Sequence, residues 1–181
     1  MEAVTTLPQS RPLTRADLET MPDDGHRYEL IDGTLIVTPA PSFAHQRAVS
    51  RMVALLIEPP SHLELLFAPF DVPLAEDTVV QPDVIIVKRV DDAYDPGDPE
   101  LVLAIEVLSP STRLIDLNLK KARLEQASIP SYWVVDPLEP MLIAWELSDG
   151  AYVEVGRVHG DETWTATEPF AVTVRPADLV R

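Results

Sequence analysis

VQPDVIIV at residues 80–87, LVLAIEVLSPSTRLIDLNLKKARLEQ at 101–126 and IPSYWVVD at 129–136 form the stretch whose reading decides the fold. The runs Val79–Val87 and Leu101–Leu108 are nearly continuous in Val, Ile and Leu. That is the pattern of strands buried on both faces, since a strand with one wet face would alternate. Each run nevertheless carries one carboxylate, Asp83 in the first and Glu106 in the second. An unpaired ionised carboxylate is strongly disfavoured there, so each is expected to meet a cation, a metal or hydrogen-bond donors.

The third member of the group comes from the segment between the runs. Read as a helix, Asp116–Ser128 puts Leu117, Lys120, Leu124 and Ala127 on one arc. Lys120 falls inside this apolar stripe, Lys121 at its edge and Arg123 well off it. A lysine on the buried face of a helix that packs on a sheet implies a carboxylate partner below it. Asp83, Glu106 and Lys120 are therefore the candidate constellation. Plainer readings stand beside it. Asp83 can be a turn carboxylate after Pro82, and Lys120 can pair with Asp116 at i, i+4 on a solvated edge, worth about 0.2–0.5 kcal/mol.

Outward from this centre, the N-terminal residues 1–13 read as a flexible tail and residues 14–181 as one domain with a sizeable core. Thr14 and Asp17 predict a short helix over Arg15–Met21, ended by Pro22-Asp23-Asp24-Gly25. Asp32-Gly33 between apolar segments signals a hairpin in RYELIDGTLIV. Glu29 lies on one face of its first strand with Ile31, and that position suits either solvent or a site role. Ser42 caps a helix over Phe43–Ile57, stopped by Pro59-Pro60. His45, Val49, Met52 and Leu56 share one face of it, so His45 points towards the core as a packed histidine or a functional one. Strands follow in HLELLFA and DVPLA, and KRVDDAYDPGDPE is a polar loop. MLIAWEL and AYVEVGRV flank Ser148-Asp149-Gly150 as a second hairpin, and a last strand is expected over Phe170–Val174. The predicted centre is helix, strand, strand, strand, helix, strand, an α/β domain with a mixed sheet framed by hairpins.

Composition narrows the chemistry. There is no cysteine, which excludes disulfides, thiolate metal sites and a cysteine nucleophile and suits a reducing, cytoplasmic setting. No run approaches the ~20 apolar residues of a membrane span, and the N-terminus lacks the pattern of a signal peptide. Ser109 and Ser111 read as helix caps, since no His–Asp partner stands at a recognisable spacing. The acidic loop Asp91–Glu100 lacks the spacing of a calcium-binding loop. With 30 acidic residues against 14 basic, the net charge of −16 argues against broad adhesion to nucleic acid.

QPDVIIV, EVLSPSTR with a lysine on the following helix, and IPSYWVVDP resemble the PD-(D/E)XK restriction-endonuclease-like superfamily. Within it they are similar to the large bacterial Uma-two family, as are RYELIDG and the Pro41-Ser42 to His45-Gln46 segment. The likeness runs from about Thr14 to Val174. It implies a restriction-endonuclease-like core and Mg²⁺-dependent hydrolysis of DNA phosphodiesters, with Mn²⁺ as the substitute metal. By this resemblance Asp83, Glu106 and the backbone carbonyl of Val107 would hold the metal, Lys120 would orient or activate the attacking water, and Glu29, His45 and Gln81 would support them. The superfamily's usual lysine position is Leu108 here, and Lys120 fits the variant in which that lysine moves to the helix. Ser128 in place of a glycine and Leu124 in place of an aromatic depart without touching the chemistry. Cutting both strands of a duplex calls for two sites, so a homodimer is expected. The competing expectations are a catalytically silent nuclease-fold binding module, which the acidic charge favours, and a nuclease for RNA or another phosphoester.

Overall fold

The computed structural model describes residues 11–90 and 98–181. Most of the expected tail and the heart of the acidic loop lie outside these residues. The tail is shorter than expected at its inner end. Leu13 is buried, and its N–H donates to the Gly33 carbonyl at 3.0 Å.

Helix α1 (Arg15–Leu18) stops a turn earlier than its sequence predicts. Strands β1 (Arg27–Ile31) and β2 (Thr34–Thr38) form the first hairpin, with Asp32 and Gly33 both at positive φ in its two-residue turn. Helix α2 (Phe43–Leu56) begins at Ser42, whose hydroxyl accepts from the His45 N–H at 3.3 Å. Strands β3 (Leu63–Phe67), β4 (Val72–Ala75), β5 (Thr78–Val80), β6 (Val84–Lys88) and β7 (Leu101–Val107) follow. A π-helical turn (Ile115–Lys120) leads without a break into helix α3 (Lys121–Gln126). Then come β8 (Ser131–Asp136), β9 (Met141–Ser148), β10 (Ala151–His159), β11 (Trp164–Ala166), β12 (Val172–Val174) and helix α4 (Pro176–Val180).

Six strands in the order β10-β9-β8-β7-β6-β3 make the main sheet, and β2-β1-β5-β4 make a second one. Only β7 and β8 pair in parallel in the main sheet, because the π turn and α3 carry the chain across between them. The main sheet is a filling between two layers. On one face Val84, Ile86, Leu103 and Ile105 pack under Ala48, Met52 and Leu56 of α2. On the other, Ile85, Ala104 and Leu108 meet Leu124 of α3 and Ile31, Val72 and Val80 of the second sheet. This explains the continuous apolar runs in β6 and β7, which have no wet face.

Three expectations need correction. Val79–Val87 is two strands, β5 in the second sheet and β6 in the main one. Gln81-Pro82-Asp83 joins them, and Pro82 has no N–H to give a ladder. The segment Asp116–Ser128 is not one regular α-helix: a π turn occupies its start, and α3 ends at Gln126. The last strand is only Val172–Val174. It pairs with β11, which the sequence reading did not anticipate, and α4 closes the chain. Among the described residues no helix is long and apolar enough to cross a membrane.

Candidate active site

The site gathers where the two sheets and the π turn meet. In β7, Ala104, Glu106 and Leu108 alternate onto the face covered by α3. Glu106 is 2% exposed, and the cation paired with it comes from the helical layer. Lys120 Nζ lies 2.9 Å from Glu106 Oε1. It also lies 2.8 Å from Glu29 Oε1, which β1 of the second sheet brings in, and 3.4 Å from Asp116 Oδ1. Glu29 is not at a solvated hairpin position. It is 1% exposed, and its Oε1 also accepts from the Gln81 N–H at 2.7 Å.

Asp83 sits at the mouth of β6 and is held from three directions. Its Oδ1 accepts from Arg27 Nη2 at 3.0 Å, and its Oδ2 from the Val107 N–H at 2.8 Å. His45 Nε2 approaches the same Oδ2 at 3.2 Å. The Ser42 cap fixes His45 in the first turn of α2, so the histidine is part of the polar cluster rather than of the apolar core. Its Nδ1 is buried with no hydrogen-bond partner.

The structure thus brings together Asp83, Glu106, Lys120, Glu29 and His45 around one cleft of about 630 Å³. Gln81 contributes its backbone, whereas its side-chain amide turns to Asp71 at 2.7 Å. Val107 contributes an N–H to Asp83. Two members escaped the sequence reading. Arg27 is the guanidinium against Asp83, and nothing in the alternation of β1 singles it out. Asp116 was read at most as a partner of Lys120 on a solvated edge, but it is 2% exposed. Thr112 Oγ1 donates to Asp116 Oδ2 at 2.7 Å, and the Tyr132 hydroxyl donates to the Asp116 carbonyl at 2.9 Å. Asp116 Oδ1 makes no hydrogen bond: its 3.4 Å separation from Lys120 is an ion pair with poor alignment.

The electrostatics follow from counting charges. Burial alone would lower the pKa of Lys120, but Glu106, Glu29 and Asp116 outweigh it and hold the ammonium well above its usual range. Burial pushes Glu106 well up; Lys120 opposes the rise, and Asp116, Asp83 and Glu29 reinforce it. Asp116 is pushed up for the same reason, burial first. Asp83 goes the other way: burial is overcome by His45, Arg27 and the Val107 N–H, which keep it ionised. One ammonium shared by three carboxylates is thus firmly charged, while Glu106 and Asp116 beside it have a raised affinity for protons.

Among the described residues no three His, Asp or Glu side chains form a ready-made metal cage. The donors nonetheless suit a hard divalent cation. Mg²⁺ takes one or two carboxylates and fills its remaining positions with water and substrate oxygens. Here two acids have raised proton affinity and one buried carboxylate oxygen lacks a hydrogen bond.

No curated protein matches this chain. A solved structure of a "putative nuclease belonging to DUF820" from Anabaena variabilis ATCC 29413 shares the fold with a TM-score of 0.69. It is 18% identical, and the match covers 93% of this chain and 98% of that one. The family model described as "Putative restriction endonuclease", Uma2, matches residues 15–177. With nearly the whole described fold inside that match, the chain belongs to the Uma2 family of the restriction-endonuclease-like nucleases.

Proposed function

We propose that this chain is a Mg²⁺-dependent endonuclease that hydrolyses DNA phosphodiesters in the cleft above Asp83, Glu106 and Lys120. The observation that carries the reading is a buried ammonium 2.9 Å from a buried carboxylate at the floor of an open cleft. Structural ion pairs are more often sealed from solvent, and clustered perturbed ionisable groups in a cleft are the mark of a working site.

In this reading Asp83 and Glu106 hold the metal, which when bound supplies Lewis-acid stabilisation of the phosphate and a more acidic water. Mn²⁺ suits the same oxygen donors. Lys120 stays protonated, so its part is electrostatic: it orients the attacking water and offsets the negative charge that grows on the phosphate oxygens. Glu29 and Asp116 aim Lys120, and Asp116 does so from the π turn that Tyr132 pins. Arg27, His45 and the Val107 N–H keep Asp83 ionised and fixed in direction. Water adds to phosphorus and gives up a proton to solvent, one P–O ester bond breaks, and the leaving oxygen is protonated from solvent.

One observation favours a second reading, a silent binding module: the chain carries a net charge of −16. The same experiment decides between them. Purified protein is given Mg²⁺ or Mn²⁺ with duplex DNA, single-stranded DNA and RNA, alongside Asp83→Asn and Glu106→Gln. The nuclease reading expects cleavage by the wild type and a loss of roughly 100-fold or more in each variant. Equal rates in all three proteins would exclude it, and no metal-dependent cleavage of any substrate would favour the silent module.

A further inference from the structure

The walls of the cleft differ from its floor. Below are the carboxylates and Lys120; above them stand Phe67, Pro69, Pro39, Pro41 and Val49. Phe67 ends β3, the edge strand of the main sheet, in register with Val84, the residue that follows Asp83. The next residue is tied to the site as well, because the Ala68 N–H donates to the Asp83 carbonyl at 3.1 Å. Phe67 is 57% exposed and lines the cleft, so its ring is open to a partner stacking from solvent.

The cations around this cleft are already engaged. Among the described lining residues, Arg27 and His45 face Asp83, Lys120 faces Glu29, Glu106 and Asp116, and His26 faces Asp24 at 2.9 Å. None is left to follow a phosphate backbone. Duplex binding is dominated by such Lys and Arg contacts, whereas single strands are also held by stacking of bases on aromatic rings.

We infer that the cleft receives an unpaired strand of nucleic acid, with one base stacked on Phe67 and the adjoining phosphodiester lowered onto the acidic floor. The inference rests on the nuclease reading for what happens at that floor, but its binding part is separable. A fluorescent oligothymidylate and a hairpin duplex of equal length are titrated in Ca²⁺ against the wild type, Phe67→Ala and Phe67→Trp. A second strand carrying 2-aminopurine reports stacking. The wild type binds the single strand at least about tenfold more tightly than the duplex. Phe67→Ala loses roughly 5- to 100-fold of strand affinity, the range that corresponds to one lost stacked base. Phe67→Trp retains the affinity, and the 2-aminopurine signal is quenched by every protein except Phe67→Ala. Strand binding that depends on Phe67 without hydrolysis in any metal would sink the nuclease reading and leave this inference standing. Cleavage of duplex and single strand at equal rates, unaltered in Phe67→Ala, would overturn the inference and leave the nuclease reading intact. Because the ring is exposed, equal melting temperatures of wild type and variant check that folding is preserved.

Discussion

Lys120→Met keeps most of the buried stem of the side chain and removes the one ammonium that Glu29, Glu106 and Asp116 share at 2.8, 2.9 and 3.4 Å. Removing one partner of a buried ion pair typically costs about 3–5 kcal/mol, because the remaining charges have no compensation. For a chain of this length each kcal/mol is worth about 2–4 °C, so the variant should melt roughly 6–20 °C lower at pH 8. The acids can lessen the cost by taking up protons, and that gives the prediction its sign. In the wild type, Lys120 has a raised pKa. Its contribution is complete below the ordinary lysine value of about 10.4 and is lost only as pH rises through the higher folded value. It is therefore constant between pH 5 and 8. In the variant, Glu106 and Asp116, which burial already pushes up, hold protons in the folded state that the unfolded chain, with pKa values near 4, has released. The folded state then binds more protons, so stability falls as pH rises, by up to about 1.4 kcal/mol per pH unit for each proton held. Thermal unfolding followed by calorimetry from pH 5 to 8, without divalent ions, should show the gap to wild type narrow towards pH 5 and widen towards pH 8. A variant that melts with the wild type at every pH would refute the idea that this lysine compensates buried acids.

Two other changes probe the frame that holds the site. Tyr132→Phe removes the donor to the Asp116 carbonyl inside the core, with an expected cost of about 1–3 kcal/mol and a melting point lower by roughly 2–12 °C. An unchanged melting point would mean that this carbonyl has another donor and that the π turn does not depend on Tyr132. Gly156→Ala should cost about 1–3 kcal/mol, read by urea unfolding, because its Cβ would stand 2.5 Å from Trp164 Cε2. A stability equal to wild type would mean that the indole moves aside freely.

What could be read from the chain alone follows the strength of each physical signal. The hairpin turns at Asp32-Gly33 and Asp149-Gly150 and the cap at Ser42 are local, and each sits where the sequence puts it. The burial of β6 and β7 on both faces is written in their composition. The division of Val79–Val87 was harder, because β5 and β6 are equally apolar on either side of Gln81-Pro82-Asp83 and only the change of sheet separates them. The β11–β12 pair is short and partly polar, three residues against three, and such a ladder leaves little periodicity to detect.

The site obeys the same logic, carried one step further. Asp83 and Glu106 stood out because an acid in an aliphatic run is anomalous, and Lys120 because an ammonium in an apolar stripe is. Glu29 gave no such contrast, since the alternation of a hairpin strand allows a solvated acid at that position. Asp116 was hidden by geometry. At i, i+4 from a lysine it looks like half of an ordinary surface pair, whereas in the structure both side chains are buried in the π turn and line the cleft. Arg27 stood out only as the first residue of the family-like RYELIDG segment. The missing residues change the charge balance, because the two acids and one lysine first seen leave one negative charge over. Glu29, Asp83, Glu106 and Asp116 against Arg27 and Lys120 leave two negative charges over, in a medium where unpaired charge is expensive. Burial raises the proton affinities of Glu106 and Asp116, and that surplus of neighbouring negative charge adds to the rise. Under the nuclease reading proposed above, a divalent cation would offset the same two charges without a proton.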